Sequence, residues 1–491
     1  MTTTALHTFF TRSLCVLLWT FSCAVLANPI VIANVTVIDG NGGEPLPSQT
    51  VTVENGLVRS IDPSSGHKIP DDALLIDAKG KYLLPGFIDS NVHASVYGNS
   101  KRRETAVKYA DRNHELVEEF AQRQLKHGVT TIRDSYGSLL PLMQVRDAIA
   151  RGEIIGSRML VAGNIVGWGG PFSLTFSLME ESDLTLFQEQ WNDLIAQGAG
   201  EELMDMGPDE LRVAINAYLD KGPNFVKYGG TSHFRYPTLI GFSPRQQRII
   251  VEETHKRGLV AETHATSAEA LRIAVEAGID FIQHPEILST AYPQDLIDMI
   301  VQRDVICGLR SNTLAGEPWQ QHVKAREQAI SELQDAAPPA TSAEARRRAD
   351  RRGDLYQLQR ENAERLIQAG CRVTIATDNY QGSAPEFRRE PKPEIQEAGI
   401  GSLLAIEGLV ELGMSPMQAL VAATRNGAMA CRGLDQFGTI EAGKSADLVL
   451  VDASPLDDIA NIRRQSLVMA RGRIIDADAL PLQPIFYLPQ N

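Results

Sequence analysis

Cysteine is scarce in this 491-residue chain: Cys15, Cys23, Cys307, Cys371 and Cys431 are the full set, and no two form a C-x-x-C pair. That excludes a disulfide scaffold and a zinc knuckle. Positive charge is short as well, with 47 Lys and Arg against 61 Asp and Glu and a formal net charge of −14. No basic run follows a phosphate backbone, so a nucleic-acid partner is excluded. The nearest candidate, "EARRRADRR" (344–352), interleaves acids and alanines as a solvated helix face does. Long apolar runs are lacking too. The stretch "RSLCVLLWTFSCAVLA" (12–27) is too short to cross a bilayer comfortably. With Arg12 ahead of it and Val25 and Ala27 at its end, it has the pattern of a secretory signal (1–27) cleaved before Asn28. The expectation is an exported protein, periplasmic or secreted, with no membrane span after cleavage. Lipoprotein processing at Cys23 is the alternative, with a poor lipobox ahead of it. Of the three cysteines left, Cys307 and Cys371 sit in or beside apolar runs and are expected as small core residues, with one bridge at most.

What is present is regular. Residues 28–84 hold short β-like runs such as "IVIANVTVID" and "QTVTVENGLVRSI", broken by Gly, Pro and Asn, and "GTIEAGKSADLVLVD" with "SLVMARGRIID" repeats that texture near the end. The two ends are expected to pair into one β-sandwich domain (28–84 and 437–491). Between them, five helical stretches stop at a glycine that opens directly onto an apolar strand: "KHGVTTIRD", "KGPNFVKY", "RGLVAETHA", "AGIDFIQHP" and "AGCRVTIATD". Adding "GFIDSNVHA", "SRMLVAG" and "DVICGLRSN" makes eight candidate strands separated by helices. The fold class is therefore α/β, a parallel (β/α)8 TIM barrel over 85–436. Two long excursions, 164–207 and 310–353, follow strands on the face where barrel active sites lie. The Gly-rich "GWGGPF" (167–172) belongs to the first and is expected near the site.

Residues with useful chemistry recur at strand ends: Asn91 and His93 on the first strand, Lys227 on the fourth, His264 on the fifth, His284 on the sixth and Asp378 on the eighth. Side chains alternate along a strand, so Asn91 and His93 share a face, and a barrel would gather all six at one rim. Imidazoles and a carboxylate that converge are ligands suited to a zinc-type cation.

The chain resembles the amidohydrolase superfamily, within its prolidase-like and imidazolonepropionase-like branch, over essentially the whole length after residue 27. "LPGFIDSNVH", "FVKY", "ETHA", "QHPE", "ATD", "ALVAATRNGA" and "GTIEAGKSADLVLVD" carry the resemblance. It implies one or two divalent metals, zinc foremost, with a carbon dioxide-derived carbamate on Lys227 bridging them. His264 and His284 would hold one metal, and His93 and Asp378 the other. The chain departs from the pattern at Asn91, where the family places the first histidine of the pair; Asn91 is expected as a metal ligand through its carbonyl oxygen, holding that metal more weakly than imidazole would. Burial favours the neutral amine that carbamoylation needs, which suits Lys227. Asp378 would serve as general acid and base, moving the proton of metal-activated water to the leaving amine.

The reaction expected is hydrolysis of a small amide, a dipeptide or N-acyl amino acid, with Tyr228, His233 and Arg310 as substrate-binding residues. Arg310 is equally able to pair with a neighbouring acid. Two alternatives stand beside this: a hydrolase of cyclic amides or lactones, and a non-catalytic binding barrel whose metal site is weakened at Asn91. A homo-oligomer is compatible with either.

Overall fold

The computed structural model describes residues 28–97, 109–233, 238–288, 290–335, 341–381 and 397–484. The expected signal segment lies outside them. No helix among the described residues is long and apolar enough to cross a membrane.

The two chain ends share one mixed, eight-stranded sheet. Strand Ile30–Val37 runs antiparallel to Leu46–Glu54 and parallel to Tyr82–Pro85, and Tyr82–Pro85 runs antiparallel to Leu448–Val451. The late strands Gln465–Ala470 and Arg473–Ile475 extend that edge. The hairpin between Leu46–Glu54 and Leu57–Pro63 turns on Asn55 and Gly56, at φ 50° and 81°. Asn-Gly tolerates two consecutive left-handed residues, and that turn matches the twist of the paired strands. Val35, Val37, Val51, Val53, Leu83, Leu448 and Leu450 pack as this sheet's own apolar core.

The middle of the chain forms two all-parallel sheets. One has six strands: Ile165–Val166, Phe225–Gly229, Val260–His264, Phe281–Gln283, Ile306–Leu309 and Arg372–Ile375. The other has four: Arg158–Val161, Val129–Asp134, Phe87–Tyr97 and Asn379–Gln381. All eight expected strands are present. Val129–Asp134, Phe225–Gly229 and Val260–His264 are buried at every position, as strands covered on both faces must be. The five glycine stops, Gly128, Gly222, Gly258, Gly278 and Gly370, all have φ between 72° and 93°. The two sheets adjoin at both edges. Asn224 N donates to Val161 O at 2.8 Å, and Asn379–Gln381 follows Arg372–Ile375 after three residues.

The first excursion folds into short elements that include helix Leu186–Ala196, and the second into long helices Gly316–Asp335 and Thr341–Gln368, the latter containing the basic run. One expectation is corrected here. Cys307 and Cys371 are joined in a disulfide, with Cα atoms 6.6 Å apart. Cys307 pairs in register with Val373, and Cys371, two residues earlier, falls on the same side of the sheet.

Candidate functional site

The strand-end residues meet in a cleft of about 160 Å³. Lys227, His264 and His284 line one side, and His93 and Asp378 the other. Asn91 lies just beneath, fully buried. His93 within Phe87–Tyr97, Lys227 within Phe225–Gly229 and His264 at the end of Val260–His264 face this cleft because alternate side chains point inward. Asp378 and His284 hold left-handed backbone conformations, φ 61° and 38°, which cost non-glycine residues about 1–3 kcal/mol. Asp378 is anchored in that conformation by its backbone N–H, which donates to Asn91 O at 2.9 Å.

On the first side, His264 Nδ1 and His284 Nε2 are 3.3 Å apart, and each ring's other nitrogen is buried with no hydrogen-bond partner. Burial, reinforced for His264 by the adjacent His284 ring and for both by the charge of Lys227, lowers both imidazoles well below the usual histidine range against the pull of Asp378, so that their neutral forms are favoured. Burial also lowers Lys227 to about 8, against the pull of Glu262, Asp378 and Asp134. A neutral imidazole with an idle ring nitrogen is a metal-ligand donor in waiting. Among the described residues no three His, Cys, Asp or Glu side chains come close enough to hold a metal by themselves. The donor set fits a divalent cation with Lys227 as the third contributor, once its amine carries an anionic oxygen.

The second side is closed on itself. His93 Nε2 meets Asp378 Oδ1 at 2.9 Å, and Asn91 Nδ2 donates to the same oxygen at 3.3 Å. Ser135 Oγ donates to Asn91 Oδ1 at 2.5 Å. Arg310 Nη1 stands 3.8 Å from Asp378 Oδ2. Burial would raise the Asp378 carboxyl, but the His93 hydrogen bond and the nearby charges outweigh it and hold the group well below the carboxylate range.

Two expected substrate contacts are corrected. Tyr228, next to Lys227, points the opposite way. It is fully buried, with its hydroxyl on Gln247 Oε1 at 3.0 Å and its ring edge-on to Phe242. Arg310 stands behind Asp378 and is already engaged, its Nε donating to buried Glu286 Oε1 at 3.0 Å. His233 does line it, stacked on Phe176 with ring centroids 4.4 Å apart.

The cleft's aromatic wall escaped the sequence reading. Tyr136, Trp168, Phe176 and Tyr380 line it beside Ile165. Trp168 comes from the Gly-rich stretch and sits edge-on to His264 at 4.9 Å, held by its Nε1 donating to Thr231 O at 3.0 Å. A Cβ on Gly229 would lie 2.3 Å from that nitrogen, so only glycine admits the indole there. Deeper polar groups were missed as well. Glu262 bonds Gln283 Nε2 at 2.5 Å and pairs with fully buried Arg133, which lies between the Phe225 and Phe281 rings. Glu262 stands two residues before His264, the same-face spacing that drew notice to Asn91 and His93.

Comparison with known proteins agrees with this geometry. The sequence pattern of the amidohydrolase family matches residues 82–475. Phenylurea hydrolase B has 31% identical sequence and a TM-score of 0.81, covering 94% of this chain and 100% of its own. An imidazolonepropionase from Brevibacillus brevis is 22% identical over 437 residues, 83% of this chain and 84% of that protein. A Xaa-Pro dipeptidase, at 21% identity and TM-score 0.68, covers 91% of this chain and 100% of its own and shares the fold. The family is generally metal-dependent. A match over most of the length, joined to the imidazoles, lysine and carboxylate that converge in the cleft, makes this chain a member of the amidohydrolase family and a hydrolase of carbon–nitrogen bonds.

Proposed function

We propose that the chain is an exported, metal-dependent enzyme that hydrolyses the amide bond of a small substrate bearing an aromatic group, a dipeptide or N-acyl amino acid of that kind. The observation that carries this reading is the pair of neutral, idle imidazoles, His264 and His284, beside buried Lys227 and across from an ionised Asp378. The scaffold is read as a (β/α)8 barrel (85–436), which the two adjoining edges of the parallel sheets support, with a β-sandwich domain from both chain ends (28–84 and 437–491).

His264, His284 and a carbamate on Lys227 would hold a divalent cation, zinc by the preference of imidazole donors. When bound, the cation polarises the substrate carbonyl and makes water acidic enough to ionise near neutral pH. Asp378 then takes the proton of the attacking water on Oδ2 and delivers it to the departing nitrogen. His93 and Asn91 occupy Oδ1 and fix the carboxylate's direction. Trp168, Tyr136 and Phe176 exclude bulk water and offer a flat apolar surface to an aromatic ring. The name of phenylurea hydrolase B agrees with an aryl-bearing substrate. Recognition of a substrate carboxylate by Arg310 loses support, since Glu286 already engages that guanidinium. Export is supported by the Cys307–Cys371 bridge, a bond that persists in oxidising compartments.

The test is a panel of aromatic and aliphatic dipeptides, N-acyl amino acids, anilides and lactones, offered to the purified protein loaded with zinc, with metal content measured on the same sample. Amine release from aromatic amides is expected. Metal-loaded protein that cleaves lactones alone, or nothing, overturns the reading.

A further inference from the structure

We propose that Ser135 is a positioning residue for the hydrolysis, acting through Asn91 on the carboxylate of Asp378; the role in turnover rests on the amide-hydrolase reading above. Ser135 follows strand Val129–Asp134 and is fully buried. Its hydroxyl reaches Asn91 Oδ1 at 2.5 Å, Gln283 Oε1 at 3.2 Å and Lys227 Nζ at 3.4 Å.

The orientation of each group follows from its neighbours. The Asn91 atom that meets Asp378 Oδ1 is the amide nitrogen Nδ2, a donor, so Oδ1 of the amide faces Ser135. A hydroxyl has one proton, and the shorter contact takes it. Ser135 thereby locks the amide in the one flip that serves Asp378. Without that proton the amide oxygen would be left buried and unsatisfied, and rotation about χ2 would turn a carbonyl toward the carboxylate, a repulsive contact. Asp378 would then keep His93 on Oδ1 but lose the second donor that sets its plane. The same hydroxyl oxygen has a lone pair for Lys227 Nζ, so one side chain touches both sides of the cleft.

The test is a double-mutant cycle in the full-length, zinc-loaded protein: Ser135→Ala, Asn91→Ala and the pair, with Ser135→Thr as the variant that keeps the hydroxyl. Loss of a group that orients a reacting residue typically costs about 10–100-fold. Ser135→Ala is expected to lower kcat in that range with KM within about twofold, and Ser135→Thr to recover most of the loss. In an Asn91→Ala background Ser135→Ala is expected to cost nothing further. An equal loss in both backgrounds, or a wild-type kcat for Ser135→Ala, overturns the proposal. Thermal midpoints of the four metal-depleted proteins give a readout free of turnover: the two single shifts should exceed the shift of the pair when summed. If the wild type cleaves no amide, the hydrolase reading fails. The midpoints still decide whether Ser135 and Asn91 act as a unit, and additive midpoints sink that link on their own.

Discussion

The two sides of the cleft have the same kinds of residue and opposite states. His264 and His284 touch each other and little else that is polar, leaving Nε2 of one and Nδ1 of the other idle in a buried place. His93, equally an imidazole at a strand end, has both nitrogens occupied: Nδ1 meets Tyr136 O at 3.2 Å and Nε2 meets Asp378 at 2.9 Å. The difference is set by neighbours. Among the described residues no carboxylate hydrogen-bonds His264 or His284, which stand beside Lys227; on the second side Ser135, Asn91, Asp378 and His93 form a continuous chain of hydrogen bonds. Buried polar atoms left without partners cost about 1–3 kcal/mol each, so a fold that leaves two of them idle in one place is shaped for something that pairs with them. The satisfied side needs nothing added, and it is the side equipped to move a proton.

The largest effect expected from breaking this contrast is at Lys227. Lys227→Ala removes the amine that would carry the anionic carbamate beside His264 and His284, and should abolish both amide cleavage and metal retention. Protein that keeps its metal and rate would show that the imidazoles suffice. The same lysine predicts a pH dependence. Its pKa, lowered by burial to about 8, means that the protonated amine dominates below that value and the neutral amine above it. Carbamoylation needs the neutral form. Metal-free protein given zinc and bicarbonate should therefore regain activity more slowly as pH falls, by on the order of tenfold per pH unit below about 8. Recovery independent of pH, followed by stopped assays across pH 6 to 9, would remove the carbamate from the account.

The second side is probed by Asp378→Asn. Turnover should fall by about 10²–10⁴-fold, the usual weight of a positioned acid–base group, with KM little changed and the metal still bound. Loss of metal on that substitution would place Asp378 among the essential ligands and erase the contrast between the sides.

Much of this was legible beforehand, and the limits have physical causes. Glycine stops before β-branched runs mark helix-to-strand junctions because they reflect local backbone chemistry, and all five are where the pattern puts them. The strand-end His, Lys and Asp residues were legible for the same reason. Tyr228 was misread although alternation alone excludes it: if Lys227 faces the cleft, its neighbour cannot. The Arg310–Glu286 pair joins residues on adjacent strand ends, and the Cys307–Cys371 bridge spans 64 positions; neither is visible without strand register. Of the aromatic wall, Trp168 and Phe176 come from the first excursion, which has no periodicity to read, and Tyr136 and Tyr380 from short stretches just past the second and eighth strands. The state of Asn91 was hidden most deeply, since an amide offers a donor and an acceptor and only its neighbours decide which faces what.

Asn91→His addresses that state directly, and it sharpens the contrast with the smallest disturbance of chemistry. Asn91 is held between Ser135 and Asp378, so its carbonyl oxygen is engaged away from the cleft. A neutral amide oxygen is also a poorer zinc donor than imidazole. The wild type should therefore retain close to one zinc per chain through dialysis against chelator, held by the His264 side. Histidine at 91 cannot bridge Ser135 and Asp378 as the amide does, and it brings a second imidazole beside His93 on the same strand face. Stoichiometry should rise above the wild-type value, toward two, in metal analysis after identical dialysis. Turnover should drop as Asp378 loses the donor that fixes its plane, by less than Asp378→Asn costs. Equal retention by both proteins would mean that the second side binds metal with or without the imidazole. The hydrogen bonds that Asn91 and His93 make to Asp378 would then have to rearrange when metal arrives.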